Sequence, residues 1–565
     1  MAFLVSPGVE IKEIDATNVI PAVSSSIGGF AGSFNWGPTE EIVQVGSENE
    51  LVEKFGSPDA NTAKYFLTAA SFLKYGNALK VVRVSSGHLN ATADGSGQLV
   101  KNSEDYDNNY ADGSLSKGNW VAKYPGVLGN SLKVSMVTAG ISTSNYNAWA
   151  FKGQFDAKPG TSSFATDLGK TSAADELHVC VVDEDGAITG TPNTVLERFA
   201  FVSQGSDAKK DDGTSNFYKE VINQTSEYIW WADHDSSLTD AGETIASQSG
   251  AMTTNTAVID SSLAGGTDDN APTVGEIALG YDKFEDAETV DVNLLFAYPD
   301  ANGANTIAND LISIATARKD CMAFVSPPLE DTVGAAAPAT DVIAFADTLT
   351  SSSYASCDSG ALYVYDKYND VYRYIGGAGH VAGLCANADR VADAWFSPAG
   401  VNRGQLLGVT KLAFNPTKAD RDSLYKARVN PIVSMPGQGT LLFGDKTLLN
   451  RPSAFDRINV RRLFIVLEKA ISTAAKAQLF EFNDEFTRAQ FKNLVEPFLR
   501  DVKGRRGITD SLVICDETNN TSQVIDANRF VADIFVKPNR SINFITLSFI
   551  ATRSGVEFSE ISGQV

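Results

Sequence analysis

Alternation of apolar and polar residues at both ends of the chain is the feature that most limits what it can fold into. Residues 543–552 read NFITLSFIAT, with Ile545, Leu547, Phe549 and Ala551 on one face and Thr546, Ser548 and Thr552 on the other. A turn at Arg553-Ser554-Gly555 follows, and Val556-Glu557-Phe558-Ser559-Glu560-Ile561 then alternates again. Near the other end, Ser6-Pro7-Gly8 precedes Val9-Glu10-Ile11-Lys12-Glu13-Ile14. Period-two alternation marks a half-buried strand. A strand at a chain end exposes unpaired N–H and C=O groups unless a sheet edge receives it. Two such ends either pair within the chain or join copies of it by strand addition.

Between these ends, 565 residues are enough for three or four domains of about 100–200 residues each. Residues 22–56 read as short strands broken by Gly28-Gly29, Gly32 and Trp36-Gly37-Pro38. The spacing of Tyr65, Phe66, Ala69, Phe72 and Leu73 predicts a helix over 61–75, capped by Asn61 and stopped at Gly76. Residues 79–84 follow as a buried strand, so the opening is a β-α-β unit. The style changes at Ser85. Residues 91–119, rich in Gly, Ser, Asn and Asp, read as a loop insertion. Residues 120–345 are acidic and rich in Thr, Ser and Ala. Their strand-like runs lie at 132–137, 177–182, 294–298 and 321–325, with a helix over 305–317 and a linker at 332–340. After Tyr363 the earlier style returns. Amphipathic helices are predicted over 460–480 and 485–503. Phe491, Leu494, Val495, Phe498, Leu499 and Val502 form the second stripe, Gly504 ends it, and Pro497 predicts a kink or a break. The expected fold class is α/β (mixed α+β) and multidomain. A core built from both ends of the chain (21–90 and 346–555) carries the loop 91–119 and an acidic β-rich insertion at 120–345.

Charge follows the same division. The net charge of −23 comprises 22 Lys and Arg against 51 Asp and Glu over 1–389, and 24 against 18 from residue 390 onward. Such acidity disfavours nucleic acid as a partner. Basic residues gather at Arg457, Arg461, Arg462, Lys503, Arg505 and Arg506. Three readings stand: a solvated helix face with charges complementing the helix dipole, a nucleic-acid contact, and a docking surface for an acidic protein.

Signs of catalysis are few. Cys180, Cys321, Cys357, Cys385 and Cys515 are isolated, which argues against a zinc ribbon or a disulfide framework and suits a reducing compartment of synthesis. Residues 1–7 lack the basic segment of a signal peptide, and no run approaches the ~20 apolar residues of a membrane helix. His88, His178, His234 and His380 are too scattered to suggest a metal site. Asp183-Glu184-Asp185-Gly186 reads as a hairpin turn, and residues 105–113 have calcium-loop residue types at the wrong spacing. Gly377-Ala378-Gly379-His380-Val381-Ala382 fits the relaxed dinucleotide fingerprint. The strand before it alternates, and no acidic residue ends a second strand some 20 residues on, so a Gly-rich turn is the expected role. No catalytic residue, cofactor or metal ligand is therefore expected. The rivals kept open are a nucleotide-dependent oxidoreductase and a surface-layer or adhesive structural protein.

The last third is more specific. The runs 365–371 (YDKYNDV), 397–404 (SPAGVNRG), 455–464 (FDRINVRRLF), 486–488 (FTR), 515–521 (CDETNNT) and 540–547 (RSINFITL) closely resemble the tail sheath proteins of contractile-tailed bacteriophages. Residues 6–9 (SPGV) and 124–130 (YPGVLGN) fit the same family. The similarity is dense over 363–558, good over 3–84, and patchy between. The resemblance implies a non-enzymatic structural subunit of the virion tail, made and assembled in the host cytoplasm. Such subunits stack as hexameric rings around a tail tube, meet baseplate and tail terminator proteins, and contract to drive the tube through the host envelope. No nucleic acid or membrane insertion is implied. Carried onto this chain, the linking arms are 1–20 and 556–565. Val9, Ile11, Ile14, Val556, Phe558 and Ile561 are then the strand-adding residues, Ile545, Leu547 and Phe549 belong to the receiving sheet, and Lys503, Arg505 and Arg506 face the tube. Some large members carry an extra domain before the Tyr-Pro-Gly motif, a place that only residues 91–119 occupy here.

Overall fold

A computed structural model describes residues 23–543 apart from 86, 301 and 302, and these form two compact units, 23–479 and 480–543. The residues of the expected terminal strands (Val9, Ile11, Ile14, Ile545, Leu547, Phe549, Val556, Phe558 and Ile561) lie outside the described residues.

The first unit is layered around a seven-stranded sheet in the order Val429–Asn430, Ala355–Asp358, Met322–Val325, Leu294–Phe296, Gly28–Gly32, Leu79–Arg83 and Ile42–Val45. Neighbours are parallel except for Ile42–Val45, which runs antiparallel at the edge. Strands covered on both faces have no need to alternate, and the central ones are apolar or small throughout. Helices Ala63–Leu73 and Ala378–Val391 pack together on one face, and Val274–Asp282 and Ala304–Arg318 on the other. Gly28 shows why the first strand is so rich in glycine: a Cβ there would lie 2.8 Å from the Phe72 ring. The absence of side chains lets Phe72 stack on Phe296, which stacks on Phe30 at 5.4 Å. The mixed α/β class read from the sequence is the class found.

Between Arg83 and Val274 the chain builds sheets of its own. Thr194–Ser203, Glu176–Asp183, Leu132–Thr138 and Ile259–Ser262 form a four-stranded antiparallel sheet, and Trp120–Ala122 pairs with Ile229–Trp231. The excursion leaves and returns side by side, with Leu89 bridging Thr267 and Thr92 bridging Ala264. The sequence boundaries need correcting here. The expected insertion 120–345 runs too far, because the chain re-enters the layered unit at Val274–Asp282, and 294–296 and 322–325 are central strands. Exposed acidic residues at Asp282, Glu285, Asp286 and Glu288, at the end of that helix and in the turn after it, hide the change of environment from a compositional reading. Residues 91–119 are more than a loop: helix Ser103–Asn109 buries Tyr106, which stacks on Trp230 at 4.4 Å and donates to Trp231 O at 2.6 Å. One aromatic anchor among polar residues carries almost no periodic signal. The 332–340 linker is also displaced, since Pro338 opens helix Pro338–Asp347 at a position where its missing N–H costs nothing.

Other helices shift modestly. The helix expected over 61–75 spans Ala63–Leu73, and Asp59 rather than Asn61 serves its start, accepting from the N–H groups of Asn61 and Thr62 at 2.9 and 2.8 Å. The helix expected over 460–480 spans Ile458–Ala475.

The second unit is helix Glu485–Gly504 against the antiparallel pair Ile508–Ile514 and Asp533–Pro538. Asp484 caps the helix by accepting from Thr487 N at 2.8 Å, and Phe491, Val495, Leu499 and Val502 are buried. Pro497 does not split it. It ends in a Schellman turn in which Gly507 N donates to Val502 O and Arg506 N to Lys503 O. The left-handed residue there is Arg506, at φ 67°, rather than Gly504.

Candidate functional site

The dinucleotide-like run lies where helix Ala378–Val391 starts, and its N-terminus is already filled. Asp358, 2 % exposed, accepts from Ser326 Oγ at 2.6 Å and from Gly360 N at 2.9 Å. Ser326 Oγ in turn accepts from Ala378 N at 2.8 Å. Burial raises the Asp358 carboxyl to about 7. A Cβ at Gly377 would lie 2.8 Å from Asp358 Oδ1, so the protein's own carboxylate occupies the place of a pyrophosphate. The next glycine serves packing: a Cβ on Gly379 would fall 2.5 Å from Thr68 O. Gly379→Ala is expected to cost about 1–3 kcal/mol through overpacking, read as a lower urea midpoint with an unchanged m-value.

The four histidines are distributed as structural groups. Tyr75 Oη accepts from Leu407 N at 2.7 Å and meets His380 Nδ1 at 3.0 Å. His88 Nδ1 meets Ser85 Oγ at 2.7 Å, and His234 Nδ1 meets Tyr218 Oη at 2.6 Å. His178 stacks on Phe155 at 4.1 Å, and its Nδ1 accepts from the N–H of Phe201, whose φ is 53°. Burial lowers all four, His88 and His380 to about 3. Folded, they stay neutral where the unfolded chain binds protons, near 6.5. Stability is therefore full above pH 6.5 and falls as pH drops toward 3, by about 1.4 kcal/mol per pH unit for each of His88 and His380. Urea titrations at pH 7 and 5 check this, and a slope unchanged in His380→Gln would refute the assignment for that residue.

The basic residues of the long helix Ile458–Ala475 are internal, which removes them from the solvated and docking readings. Arg461 lies between the rings of Phe455 and Tyr354, at 3.9 and 4.1 Å, and donates to Ser353 Oγ at 2.7 Å. Arg462 donates to Asp389 Oδ2 at 2.7 Å, Ser25 O at 3.0 Å and Cys385 O at 3.1 Å. Arg457 pairs with Asp445 at 3.2 Å and also meets Tyr425 Oη. Ser25 Oγ reaches Asp389 Oδ2 at 2.7 Å, Lys469 pairs with Asp291, and Asn293 N donates to Ile27 O at 2.9 Å. Residues 24–27, which lead out of the N-terminal stretch, are thus clamped to the body. Amphipathic periodicity marked this helix, but nothing in it told a buried arginine from a solvated one.

Lys503, Arg505 and Arg506 are exposed around the end of Glu485–Gly504. Lys503 meets Asp510 at 3.3 Å and Arg505 meets Asp501 at 3.5 Å, surface pairs of small net worth. Beside them, Ile508–Ile514 and Asp533–Pro538 pair only with each other among the described residues. Their outer face carries the cross-strand pair Leu512 and Phe535, each 56 % exposed. A two-stranded sheet whose strands meet no third strand among the described residues, with an exposed apolar pair set between Asp510–Lys537 and Asp533, is suited to receiving further strands.

Family models match three stretches: the phage tail sheath C-terminal domain at 450–552, the phage tail sheath protein central domain at 270–448, and the tail sheath protein Gp18 domain III N-terminal region at 26–84. The tail sheath protein of Enterobacteria phage T4 is 33 % identical over 673 aligned positions covering 99 % of each chain. The chain belongs to the phage tail sheath family. The tail sheath protein of Vibrio phage KVP40 is likewise 33 % identical, covering 99 % of this chain and 100 % of its own. The fold extends further. A sheath tail protein from Listeria innocua, Lin1278, superposes with a TM-score of 0.53 at 13 % identity, over 92 % of this chain and 96 % of its own. The sheath complex of an extracellular contractile injection system in its contracted state gives 0.51 at 14 % identity, over 98 % and 99 %.

The sheath motifs are where the folded chain ties itself together. Asn520, in CDETNNT, donates to Val531 O at 2.7 Å and accepts from Val531 N at 2.9 Å. Asn483 donates to Asn520 Oδ1, and Arg488 of the FTR run donates to Asn483 Oδ1 at 2.9 Å. In YPGVLGN, Gly126 N donates to Leu89 O, and Asn130 exchanges hydrogen bonds with Gly266 at the neck of the excursion. The T4 alignment, at 673 positions, exceeds the 565 residues of this sheath chain by 108, so that relative holds at least that many positions without a counterpart here.

Proposed function

We propose that the chain is a non-enzymatic subunit that stacks as hexameric rings around a tail tube and contracts to drive the tube through the host envelope. Baseplate and tail terminator proteins bound the assembly, which forms in the host cytoplasm. The observation that supports this reading, beyond membership of the family, is the unit 480–543: a helix-backed sheet whose two strands pair only with each other among the described residues, with an exposed Leu512–Phe535 pair. Residues 543–552 would extend that sheet, and arms 1–20 and 556–565 of neighbouring copies would add Val9, Ile11, Ile14, Val556, Phe558 and Ile561 to it. Main-chain pairing tethers bodies while allowing them to rotate, and a head-to-tail contact that does not close generates a helix.

Negative-stain microscopy of the expressed chain tests this. Hollow cylinders with helical striation are expected, and separate globules or flat lattices would overturn it. The tube-facing assignment has its own test. Arg505→Glu with Arg506→Glu should weaken assembly on the tube roughly tenfold or more while sparing tube-free cylinders. Equal tube-dependent assembly would remove the assignment.

A further inference from the structure

A second, smaller sheet in the layered unit carries an unusual outer face. Strands Leu362–Asp366, Val371–Ile375 and Val409–Leu412 are antiparallel, with Tyr363 opposite Tyr374, Tyr365 opposite Tyr372 and Tyr363 opposite Lys411. Alternation puts Leu362, Val364 and Asp366 into the body, where all three are buried. It puts the four tyrosines and Lys411 on the other face. Their rings form one cluster: Tyr363–Tyr374 at 4.6 Å, Tyr365–Tyr372 at 5.1 Å and Tyr363–Tyr372 at 5.3 Å. Lys411 Nζ lies 4.5 Å from the Tyr363 ring centre. Tyr365 and Tyr372 remain 47 % and 50 % exposed.

The cluster is held rigid from beneath. Asp366 accepts from Tyr368 N, Asn369 N and Nδ2, and Arg373 Nε at the hairpin tip. Tyr368 Oη reaches Glu48 at 3.0 Å and its ring packs on Phe66, while Tyr365 Oη closes the tip by donating to Asp370 at 2.7 Å. Cross-strand aromatic pairs alone would stabilise a solvated sheet. They do not need four tyrosines beside a cation on a face fixed in advance, which is the make-up of a preorganised contact surface.

We propose that this tyrosine face is a self-association surface that seats an acidic surface of a second copy of the chain. The proposal rests on the reading that the chain assembles with itself. Charge selects the occupant: Lys411 and the O–H groups of Tyr363, Tyr372 and Tyr374 offer donors, Tyr365 having given its own to Asp370, and a second copy carries 69 Asp and Glu against 46 Lys and Arg.

Tyrosine nitration of the full-length chain, before and after assembly, tests it. Tyr365 and Tyr372 should react in the free subunit and be protected roughly tenfold in tube-free assemblies. Tyr365→Thr with Tyr372→Thr keeps strand propensity and should lower the monomer's melting temperature by only a few degrees, through the lost ring pairs and the Tyr365–Asp370 bond, while raising the concentration needed to assemble roughly tenfold. Should that variant not fold, Lys411→Glu, on the exposed rim, should raise that concentration in the same direction. Equal reactivity in assembled and free chains, protection only when tail tube is present, or normal assembly of a folded variant would each overturn the proposal. Failure of the unaltered chain to assemble would overturn both this and the function on which it rests.

Discussion

Removal of residues 1–20 is expected to leave a folded body that forms no sheaths. The body should keep its fold because, among the described residues, the N-terminal stretch is clamped to it at Ser24 and Ser25, both beyond the deletion, through Arg462, Asp389 and Lys469. The removed stretch contains the alternating residues Val9, Ile11 and Ile14, and a donated strand contributes main-chain hydrogen bonds worth about 1 kcal/mol each, repeated at every subunit. Losing that link at each contact should abolish ordered assembly rather than slow it. The measurement is paired: melting temperature of the monomer, unchanged, and cylinders by negative stain, absent. A longer truncation, of residues 1–27, is the control. It also removes Ile27, which pairs with Asn293 and Leu294 beside the central sheet, and should lower the melting temperature as well. Normal contractile cylinders from the shorter truncation would sink the arm assignment.

Arg462→Ala carries the largest expected loss of stability. Arg462 is 3 % exposed, and its guanidinium serves Asp389 and the carbonyls of Ser25, Cys385 and Ala394. Truncation strands Asp389 without its cation and leaves three carbonyls short of a donor. Breaking one side of a buried pair typically costs about 3–5 kcal/mol. Because the same side chain joins the long helix, the helix Ala378–Val391 and residue 25, loss of cooperativity in the first unit should accompany the loss of stability. Chemical denaturation measures both. The double variant Arg462→Met with Asp389→Leu should recover part of the loss, since an apolar pair removes the stranded charge but leaves the carbonyls of Ser25, Cys385 and Ala394 without that donor. A single variant within about 1 kcal/mol of the unaltered chain would show that the pair is not the clamp inferred here.

How much of this was legible follows from what each kind of signal can report. The strand–helix–strand run that ends at Arg83, the two long helices and the family motifs were readable because periodicity and short ordered runs are local properties, whereas helix Glu48–Phe55 lies within 22–56, which read as strands alone. The alternating outer face of Val371–Ile375 was readable too, and it rightly argued against a parallel strand before the Gly-rich run. The re-entry at Val274 was not. Whether an acidic, Thr-rich segment belongs to an insertion or to a central sheet depends on which strands it meets, and Leu294–Phe296 meets Gly28–Gly32 across more than 260 intervening residues. Residues 91–119 escaped for a related reason, since Tyr106 finds Trp230 only after folding.

By itself, the sequence determined the mixed α/β class, the family, the positions of the strongest helices and the alternating ends. All of these depend on residue order within short windows. Only the tertiary structure decided where the charges went. It buried Arg461 and Arg462, left Lys503, Arg505 and Arg506 in solvent, and set Asp358 at a helix N-terminus that had looked free for a phosphate. Burial of a charge is favourable only where partners converge from distant segments, and that convergence is a property of the folded chain.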